Sequence, residues 1–171
     1  MDSKKILFLL IPVLVLAFSC ASTPKPVEEE AVYGPVKTGG MQVSQAQYDS
    51  TKEEVQHFIG ELNQVIRRRN FSVWKDSLSP EYLAQISSAE NLRQISEQPA
   101  MKTRNIALKN AEDYFIFVVV PSRANSRVDD IEFISGNRVK AFTVRVNKDG
   151  EEERLLLYNL EKSGNTWKII S

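Results

Sequence analysis

The spacing of the apolar residues changes near residue 100, and this change limits the fold more than any other feature of the chain. From about 47 to 98 the apolar residues recur at intervals of three and four, which is typical of helices that bury one face. From about 102 to 170 they alternate with polar residues or form short runs between turns, which is typical of antiparallel strands. Helices followed by a strand meander predict an α+β domain, with the helices packed against one side of a curved sheet.

The first helix has the strongest pattern. Its apolar side chains form one stripe: Val55, Phe58, Ile59, Leu62, Val65 and Ile66. Ser50 and Glu53 have the spacing of a capping box and predict the start of the helix. Asn70, which follows three arginines, predicts a left-handed residue at its end. His57, the only histidine in the chain, falls on the polar face, so we expect it to be exposed.

Shorter helices are predicted between residue 71 and residue 98. An apolar segment of one or two turns follows the first helix directly. Ser79 followed by Pro80 predicts the start of the next helix, because serine caps the first backbone amides and proline is tolerated in the first turn. Ser88 predicts another N-cap, and Pro99 is expected to stop that helix.

The strand half contains two segments, 114–120 and 155–160, that are apolar on both faces. Such runs predict strands that are covered on both sides. Alternating segments predict further strands at 128–134 and 139–146. Turn residues predict turns at 147–150 and 163–165. The second covered surface is either a hollow where the sheet curls around the helices or a contact with a partner. The candidate lining of such a hollow is Trp74, Tyr114, Phe142 and Tyr158.

The first 20 residues predict an export signal. Lys4 and Lys5 precede an apolar run of 13 residues, 6–18, which only Pro12 interrupts. This length lies within the roughly 7–15 residues of a signal-peptide core and below the about 20 residues of a membrane-spanning helix. Pro12 further disfavours a spanning helix because proline removes a backbone donor. A transmembrane anchor is the alternative interpretation.

Cys20, the only cysteine in the chain, directly follows the small residue Ser19. A single cysteine cannot form an internal disulfide, so its presence in an exported protein needs another explanation. The segment resembles the lipobox of bacterial lipoproteins, in the looser form found in spirochaetes, because Leu16 lies one position further from the cysteine than usual. The resemblance implies that residues 1–19 are removed and that acyl chains such as palmitate are attached to Cys20. A secreted protein with a free thiol is the weaker alternative.

Residues 20–46 are predicted to tether a single domain, 47–171, to the membrane. They combine proline, glycine and an acidic triplet at 28–30 without apolar periodicity, which is typical of a flexible linker. Such a linker would place the domain about 25–30 Å from the lipid. Because two acyl chains suffice for stable anchoring, we expect a protein of the bacterial cell envelope, on its periplasmic or surface side.

The charge balance argues against a nucleic-acid partner. The chain has 22 basic and 22 acidic residues, and 20 and 21 of them remain once residues 1–19 are removed. A nucleic-acid-binding domain would carry a basic stripe and a high pI. With one histidine and a lipidated cysteine, we expect neither a Ser-His-Asp or Cys-His catalytic set nor an ordinary zinc site. The sequence also lacks a glycine-rich phosphate loop, and no cofactor is predicted.

Carboxylates and tyrosines of the strand half are the candidates for acid–base chemistry: Asp113, Tyr114, Asp129, Asp130, Glu132 and Tyr158. Each has an ordinary structural explanation, because aspartates are common where strands begin and tyrosines are common within strands. The sequence therefore favours a protein without catalytic residues and leaves an enzyme as the alternative.

The order of the elements resembles that of the nuclear-transport-factor-2-like superfamily. The likeness extends over about residues 48–171 and rests on the long first helix, on the segments 71–74 and 79–82, and on a closing strand at 166–169. It implies a cone in which helices lie inside a curved sheet around a pocket. The superfamily contains enzymes such as ketosteroid isomerase and scytalone dehydratase, whose catalytic positions have no assigned counterpart here, and many non-enzymatic binding and dimerisation domains.

Three functions are compatible with these patterns. The first is a non-catalytic module that binds a small apolar ligand or an envelope protein at the membrane. The second is a pocket enzyme that uses carboxylates and tyrosines. The third is a structural domain that forms a homodimer through its sheet. A carboxylate with a raised pKa, buried in an apolar pocket within hydrogen-bonding distance of a tyrosine, would favour the enzyme.

Overall fold

The computed structural model describes residues 36–38 and 40–171. The predicted signal at 1–19, the candidate lipidation site Cys20 and most of the predicted tether lie outside the described residues. The described chain contains helices and a four-stranded antiparallel sheet, so the predicted α+β class is confirmed.

A short hairpin and five helices come first in the described chain. They are β1 (Val36–Thr38), β2 (Met41–Val43), α1 (Gln45–Arg67), α2 (Phe71–Asp76), α3 (Pro80–Ser87), α4 (Ala89–Ser96) and α5 (Pro99–Lys102). A further helix at 111–123 consists of α6 (Ala111–Tyr114), a π-helical segment (Phe115–Val119) and α7 (Val120–Arg123). The sheet consists of β3 (Asp130–Ser135), β4 (Arg138–Val146), β5 (Glu152–Ser163) and β6 (Thr166–Ile169).

Strands β3 to β6 pair in sequence order, each antiparallel to the next. This arrangement is the meander that the turn residues predict. Gly150 and Gly164 lie in the last two turns with φ values of 83° and 60°. Glycine adopts this left-handed backbone without a steric penalty, which explains why both turns could be predicted.

A β-bulge interrupts the pairing of β4 and β5. Ala141 lies opposite Tyr158, whereas the next residue, Phe142, lies opposite Leu156, so Leu157 is the extra residue. Successive residues of a regular strand alternate between the two faces of a sheet. Here the neighbours Leu157 and Tyr158 are both buried, because the bulge turns the strand locally.

Helix α1 shares one hydrophobic core with one face of the sheet. Its buried apolar residues are Val55, Ile59, Leu62 and Ile66, which confirms the predicted stripe. They belong to the same cluster as Ile131, Phe133, Val139, Ala141, Leu160 and Ile169 of the sheet. Burying one such side chain contributes about 1.5–3 kcal/mol, so this contact holds the long helix in place on the strands.

The first helix begins earlier than predicted. Its N-cap is Ser44, whose hydroxyl accepts a hydrogen bond from the Gln47 amide at 3.1 Å. The prediction of a capping box at Ser50 is wrong, because the chain is already helical there. The hairpin β1–β2 and the first residues of α1 fall within the predicted tether 20–46.

The end of α1 also differs from the prediction. Arg69, with a φ of 53°, takes the left-handed conformation that was predicted for Asn70. Asn70 instead is the N-cap of α2, and its side-chain oxygen accepts a hydrogen bond from the Val73 amide at 3.2 Å. Asparagine is common both as the left-handed residue after a helix and as an N-cap. Because α2 starts directly after α1, Asn70 serves as the N-cap of α2.

The predicted starts of α3 and α4 are confirmed. Ser79 accepts a hydrogen bond from the Tyr82 amide at 3.1 Å, and Pro80 occupies the first turn of α3. Ser88 accepts a hydrogen bond from the Asn91 amide at 3.3 Å at the start of α4. Pro99 follows the end of α4 and opens the short helix α5.

The largest error of the sequence analysis concerns residues 114–120, which form a helix and not a strand. The sheet begins at Asp130 rather than near residue 102. The helix starts at Asn110, whose side chain accepts a hydrogen bond from the Asp113 amide at 2.9 Å. The Asp113 carboxylate in turn accepts one from the Lys109 amide at 2.8 Å. An apolar run with aromatic and β-branched residues suits a strand and a buried helix equally, so its composition does not decide between them, and the capping contacts mark where the helix begins.

A proline lies in the last turn of the 111–123 helix. Pro121 has no amide proton, and its ring would collide with the carbonyl four residues earlier in a regular α-helix. Directly before it, the Val120 amide donates to the carbonyl of Phe115, five residues back, which is the hydrogen bond of a π-turn. The wider turn accommodates the proline without ending the helix.

Candidate ligand-binding site

A cavity of about 150 Å³ lies between α2, α3, the 111–123 helix and the part of the sheet that carries the bulge. Its aromatic and polar lining includes Trp74, Tyr82, Tyr114, Ser122, Arg123 and Tyr158. The remaining lining residues in the described chain are aliphatic residues of the 111–123 helix, β5 and β6, together with Ser171.

Three of the four residues predicted to line a pocket meet at this cavity. They are Trp74, Tyr114 and Tyr158, which come from α2, the 111–123 helix and β5. Phe142 lies elsewhere, because it follows the buried Ala141 along β4 and its side chain leaves from the other face of the sheet. The guanidinium of Arg154 lies 4.1 Å from its ring centroid. That these residues bind a ligand stays a prediction.

An aromatic cluster forms one wall of the cavity. Trp74 is only 2% exposed, and its ring centroid lies 4.8 Å from that of Phe115 and 6.5 Å from that of Tyr114. Phe71 packs against both Trp74 and Phe115 at about 6 Å. Tilted aromatic pairs at these distances are favourable, so the wall is rigid and apolar.

The 111–123 helix supplies much of the lining. Tyr114, Val118, Val119, Ser122 and Arg123 all face the cavity, and they flank or belong to the π-helical segment. A π-turn widens the helix and brings side chains to one side that a regular α-helix would separate. Such turns occur frequently at functional sites of proteins.

The hydroxyl of Tyr158 is buried without a hydrogen-bond partner among the described residues. The side chain is 7% exposed, and the bulge in β5 directs it towards the cavity. Burial raises the pKa of Tyr158 to about 12, and the nearby Arg123 guanidinium and the Ser126 side chain oppose this shift. The Ser126 hydroxyl itself donates to the carbonyl of Arg123 at 3.1 Å. The Tyr158 hydroxyl is therefore protonated at neutral pH, and it is a donor that lacks an acceptor.

Arg123 supplies the positive charge of the cavity. Its guanidinium carbon lies 5.4 Å from the ring centroid of Tyr158. In the described chain no Asp, Glu or terminal carboxylate approaches the guanidinium nitrogens within the 4.0 Å of an ion pair. Across the cavity, burial raises the pKa of Tyr82 above its ordinary value, and the neighbouring Tyr114 adds to this shift. The tyrosine hydroxyls can thus donate to a ligand but do not neutralise Arg123.

The carboxylates proposed for acid–base chemistry lie away from the cavity. Asp113 caps the start of the 111–123 helix. Asp129 forms an ion pair with Arg127 at 2.6 Å and accepts hydrogen bonds from the Val144 amide and the Thr143 hydroxyl. Burial alone would raise the pKa of Asp129, but these partners lower it overall. These contacts give both aspartates a structural role.

Asp130 and Glu132 belong to a charged network on β3 to β5. Asp130 pairs with Arg154 at 2.6 Å, and Glu132 pairs with Lys140 at 2.9 Å. The Tyr48 hydroxyl donates to Asp130 at 2.5 Å, which is the kind of carboxylate–tyrosine pair that an acid–base site would need. However, Asp130 is partly exposed and already paired with a cation, so the pair does not form a buried acid–base site.

A second, more open hollow of about 420 Å³ separates α1 from β6. Glu53, Glu54, His57 and Trp167 are among its lining residues. The side chain of His57 is 75% exposed, as predicted, and Glu54 forms an ion pair with Lys162 at 2.6 Å. Within the described residues, no three His, Cys, Asp or Glu side chains come together in a way that could hold a metal ion.

Arg123 and Tyr82 are the site residues that the sequence analysis missed. Arg123 lies just beyond the segment 114–120, which was interpreted as a strand, and outside the residues for which an element was predicted. One signal could have shown the helix, namely the spacing of Asn110 and Asp113, which suits an N-cap. Tyr82 carries no such signal, because a tyrosine on a short helix is most often a core residue.

Comparison with known proteins yields one informative relative. No protein-family model matches the chain, and no solved structure matches it. Over 132 residues it is 36% identical to an uncharacterized lipoprotein of Treponema pallidum (strain Nichols), a region that covers 77% of this chain and 67% of the relative. The chain belongs to the family of this treponemal lipoprotein. A spirochaete lipoprotein in the family supports the prediction of a lipid-anchored envelope protein. In the described part of the chain, no helix has the length and apolar character needed to cross a membrane.

Proposed function

We propose that this protein is an envelope lipoprotein whose domain binds a small, largely apolar molecule in the aromatic cavity and does not transform it. The observation that carries the proposal is the hydroxyl of Tyr158, which is buried in the cavity wall without a partner. An unsatisfied buried hydroxyl costs about 1–3 kcal/mol, so its retention needs a reason. A bound molecule that accepts its hydrogen bond supplies that reason.

The architecture supports a binding cavity of the nuclear-transport-factor-2-like kind. Helices precede the meander, and the cavity lies between the helices and the sheet. In this proposal Cys20 carries acyl chains, and the residues before the hairpin β1–β2 connect it to the domain. The protein then holds its ligand at the membrane of the envelope, on the periplasmic or surface side.

The lining of the cavity favours binding over catalysis. The ionisable side chains among its lining residues are three tyrosines and Arg123, and no Asp, Glu or His side chain is among them; Ser171, the last residue of the sequence, also lines it, and its carbonyl oxygen accepts from the Asn159 amide at 2.9 Å. General acid–base chemistry at neutral pH needs a group whose pKa lies near the working pH. Tyr158, with a pKa of about 12, is far from that range.

Native mass spectrometry of the full-length protein, extracted from membranes with detergent, tests the binding proposal. We expect a small molecule that stays with the folded protein and is released on unfolding. Val118→Trp fills the cavity and should abolish this mass difference while the circular dichroism spectrum stays unchanged. Val146→Trp is the matched control, because Val146 is 69% exposed and does not line the cavity. A ligand that survives Val118→Trp, or a protein that never carries one, would contradict the proposal.

The anchor is tested separately with Cys20→Ser. Loss of the acylated sulfur should move the protein from the membrane fraction to the soluble fraction, because the acyl chains supply the membrane affinity. Fractionation at high salt distinguishes lipid anchoring from electrostatic adsorption. A Cys20→Ser variant that stays in the membrane fraction as firmly as the natural protein would refute the lipid anchor.

A further inference from the structure

Two hydrogen-bond donors without acceptors converge on the same part of the cavity. One is the Tyr158 hydroxyl, which is buried and unpartnered among the described residues. The other is the Arg123 guanidinium, which stacks 5.4 Å from the centre of the same tyrosine ring. Because both groups line the cavity, one ligand group can contact both of them. That group has to accept several hydrogen bonds at once.

The charge of the surroundings favours an anionic group. Arg123 forms no ion pair with any carboxylate of the described residues. Arg67 on α1 donates to the carbonyl of Ala124, the residue after Arg123, at 2.9 Å, so a second cation contacts this part of the chain. A cationic ligand would be repelled, and a neutral one would leave the guanidinium without a counter-charge. A planar guanidinium matches the two oxygens of a carboxylate.

The size of the cavity limits the rest of the ligand. Its volume of about 150 Å³ corresponds to roughly one benzene-sized ring. Trp74 is 2% exposed, whereas Arg123 is half-buried, so the apolar part of the ligand enters first and the charged part stays near the opening. A phospholipid acyl chain is too long for this space.

We propose that the cavity binds a small monocarboxylate with one ring or a short branched chain, whose carboxylate meets Arg123 and Tyr158 and whose apolar part packs against Trp74. This inference rests on the proposed ligand-binding function and names the chemical class of its ligand. In this proposal Arg123 and Tyr158 determine the specificity for a carboxylate. The aromatic wall supplies affinity for any apolar ring of the right size.

Isothermal titration calorimetry on the detergent-purified full-length protein tests the ligand class. Phenylacetate and benzoate are the carboxylate probes. Benzyl alcohol is the neutral probe, benzylamine the cationic probe and inorganic phosphate the free-anion probe. We expect the better carboxylate to bind at least about tenfold more tightly than benzyl alcohol, because a hydrogen bond to a charged group is worth that much. Benzylamine and phosphate should bind more weakly still.

Variants of Arg123 and Tyr158 assign the recognition. Arg123→Gln should weaken carboxylate binding by roughly 10- to 100-fold and leave benzyl alcohol within about twofold. Arg123→Lys should retain part of the preference, because it keeps the charge and loses the planar fork. Tyr158→Phe should weaken carboxylate binding by about three- to tenfold. Arg145→Gln, which removes an exposed arginine of β4, is the control and should change nothing.

The outcomes separate this inference from the function on which it rests. Equal affinity for carboxylate and alcohol, or an Arg123→Gln variant that binds carboxylates normally, overturns the ligand class and leaves a binding cavity. Phosphate that binds as tightly as the ring carboxylates overturns it in favour of a free-anion site. If no ring compound binds and the extracted protein carries no ligand, both the inference and the proposed function fail.

Discussion

Replacement of Tyr158 by phenylalanine removes one hydroxyl and leaves the ring in place. In the described structure this hydroxyl has no hydrogen-bond partner, and the side chain is 7% exposed. A buried polar group without a partner costs about 1–3 kcal/mol, whereas the packing of the ring is unaffected. We therefore expect Tyr158→Phe to raise the free energy of unfolding of the ligand-free protein by about 1 kcal/mol, although most substitutions in a core lower it.

Tyr48→Phe is the matched control, because it removes the same atoms at a satisfied position. The Tyr48 hydroxyl donates to the Asp130 carboxylate at 2.5 Å, and burial raises the pKa of Tyr48 to about 12. Loss of a hydrogen bond to a charged group at this half-buried site should lower the free energy of unfolding by about 1 kcal/mol. The Tyr→Phe substitution should thus raise the free energy of unfolding at position 158 and lower it at position 48.

Urea unfolding followed by tryptophan fluorescence measures both effects. Trp74 and Trp167 are buried, so their emission changes when the chain unfolds. The two variants should shift the unfolding midpoint in opposite directions with the same dependence on urea as the natural protein. If Tyr158→Phe destabilises the protein as much as Tyr48→Phe, then the Tyr158 hydroxyl is satisfied in the free protein. The main argument for a ligand that completes its hydrogen bonding would then be refuted.

Three further predictions follow from the same region. Burial raises the pKa of Tyr158 to about 12, so as pH rises this tyrosine loses its proton first in the unfolded chain. The free energy of unfolding should therefore fall between about pH 10 and pH 12. Tyr158→Phe should reduce the slope of this fall by up to about 1.4 kcal/mol per pH unit in urea titrations. Asn110→Ala removes the N-cap that accepts from the Asp113 amide and should lower stability by about 1 kcal/mol; an unchanged thermal midpoint would contradict this. Trp74→Ala should lower the free energy of unfolding, measured by urea titration, by about 3–5 kcal/mol. A decrease below about 1 kcal/mol would show that the aromatic wall is not packed as described.

The parts of the fold that the sequence predicts are those that local interactions decide. Ser79 and Ser88 cap α3 and α4 because each serine bonds an amide three residues ahead. The apolar stripe of α1 can be recognised in the sequence because its apolar residues recur at helical spacing over several turns, and a helix places all of them on one face. The turns at Gly150 and Gly164 need left-handed backbone, which glycine signals directly.

The parts that the sequence does not predict depend on packing between distant residues. The run 114–120 has the composition of a covered strand, and its burial as a helix against α2 and α3 overrides that preference. The bulge at Leu157 is set by the pairing of β4 and β5, which no local residue type announces. The sequence analysis could name three lining residues, Trp74, Tyr114 and Tyr158, because large aromatic side chains with a polar group are rare in the chain. Where these side chains meet depends on the 111–123 helix and on the bulge in β5.

Several departures from regular structure lie at the cavity. A proline within a helix, a π-turn and a β-bulge each interrupt an otherwise regular element, and Tyr158 adds a hydroxyl without a partner. Arg123, which belongs to the same helical turn as Pro121, adds a guanidinium that forms no ion pair with a carboxylate of the described residues. A sequence shaped for stability alone would have replaced several of these features with regular ones. Their presence around about 150 Å³ of aromatic-walled space is the reason why we propose the cavity, and not the outer face of the sheet, as the functional surface of the domain.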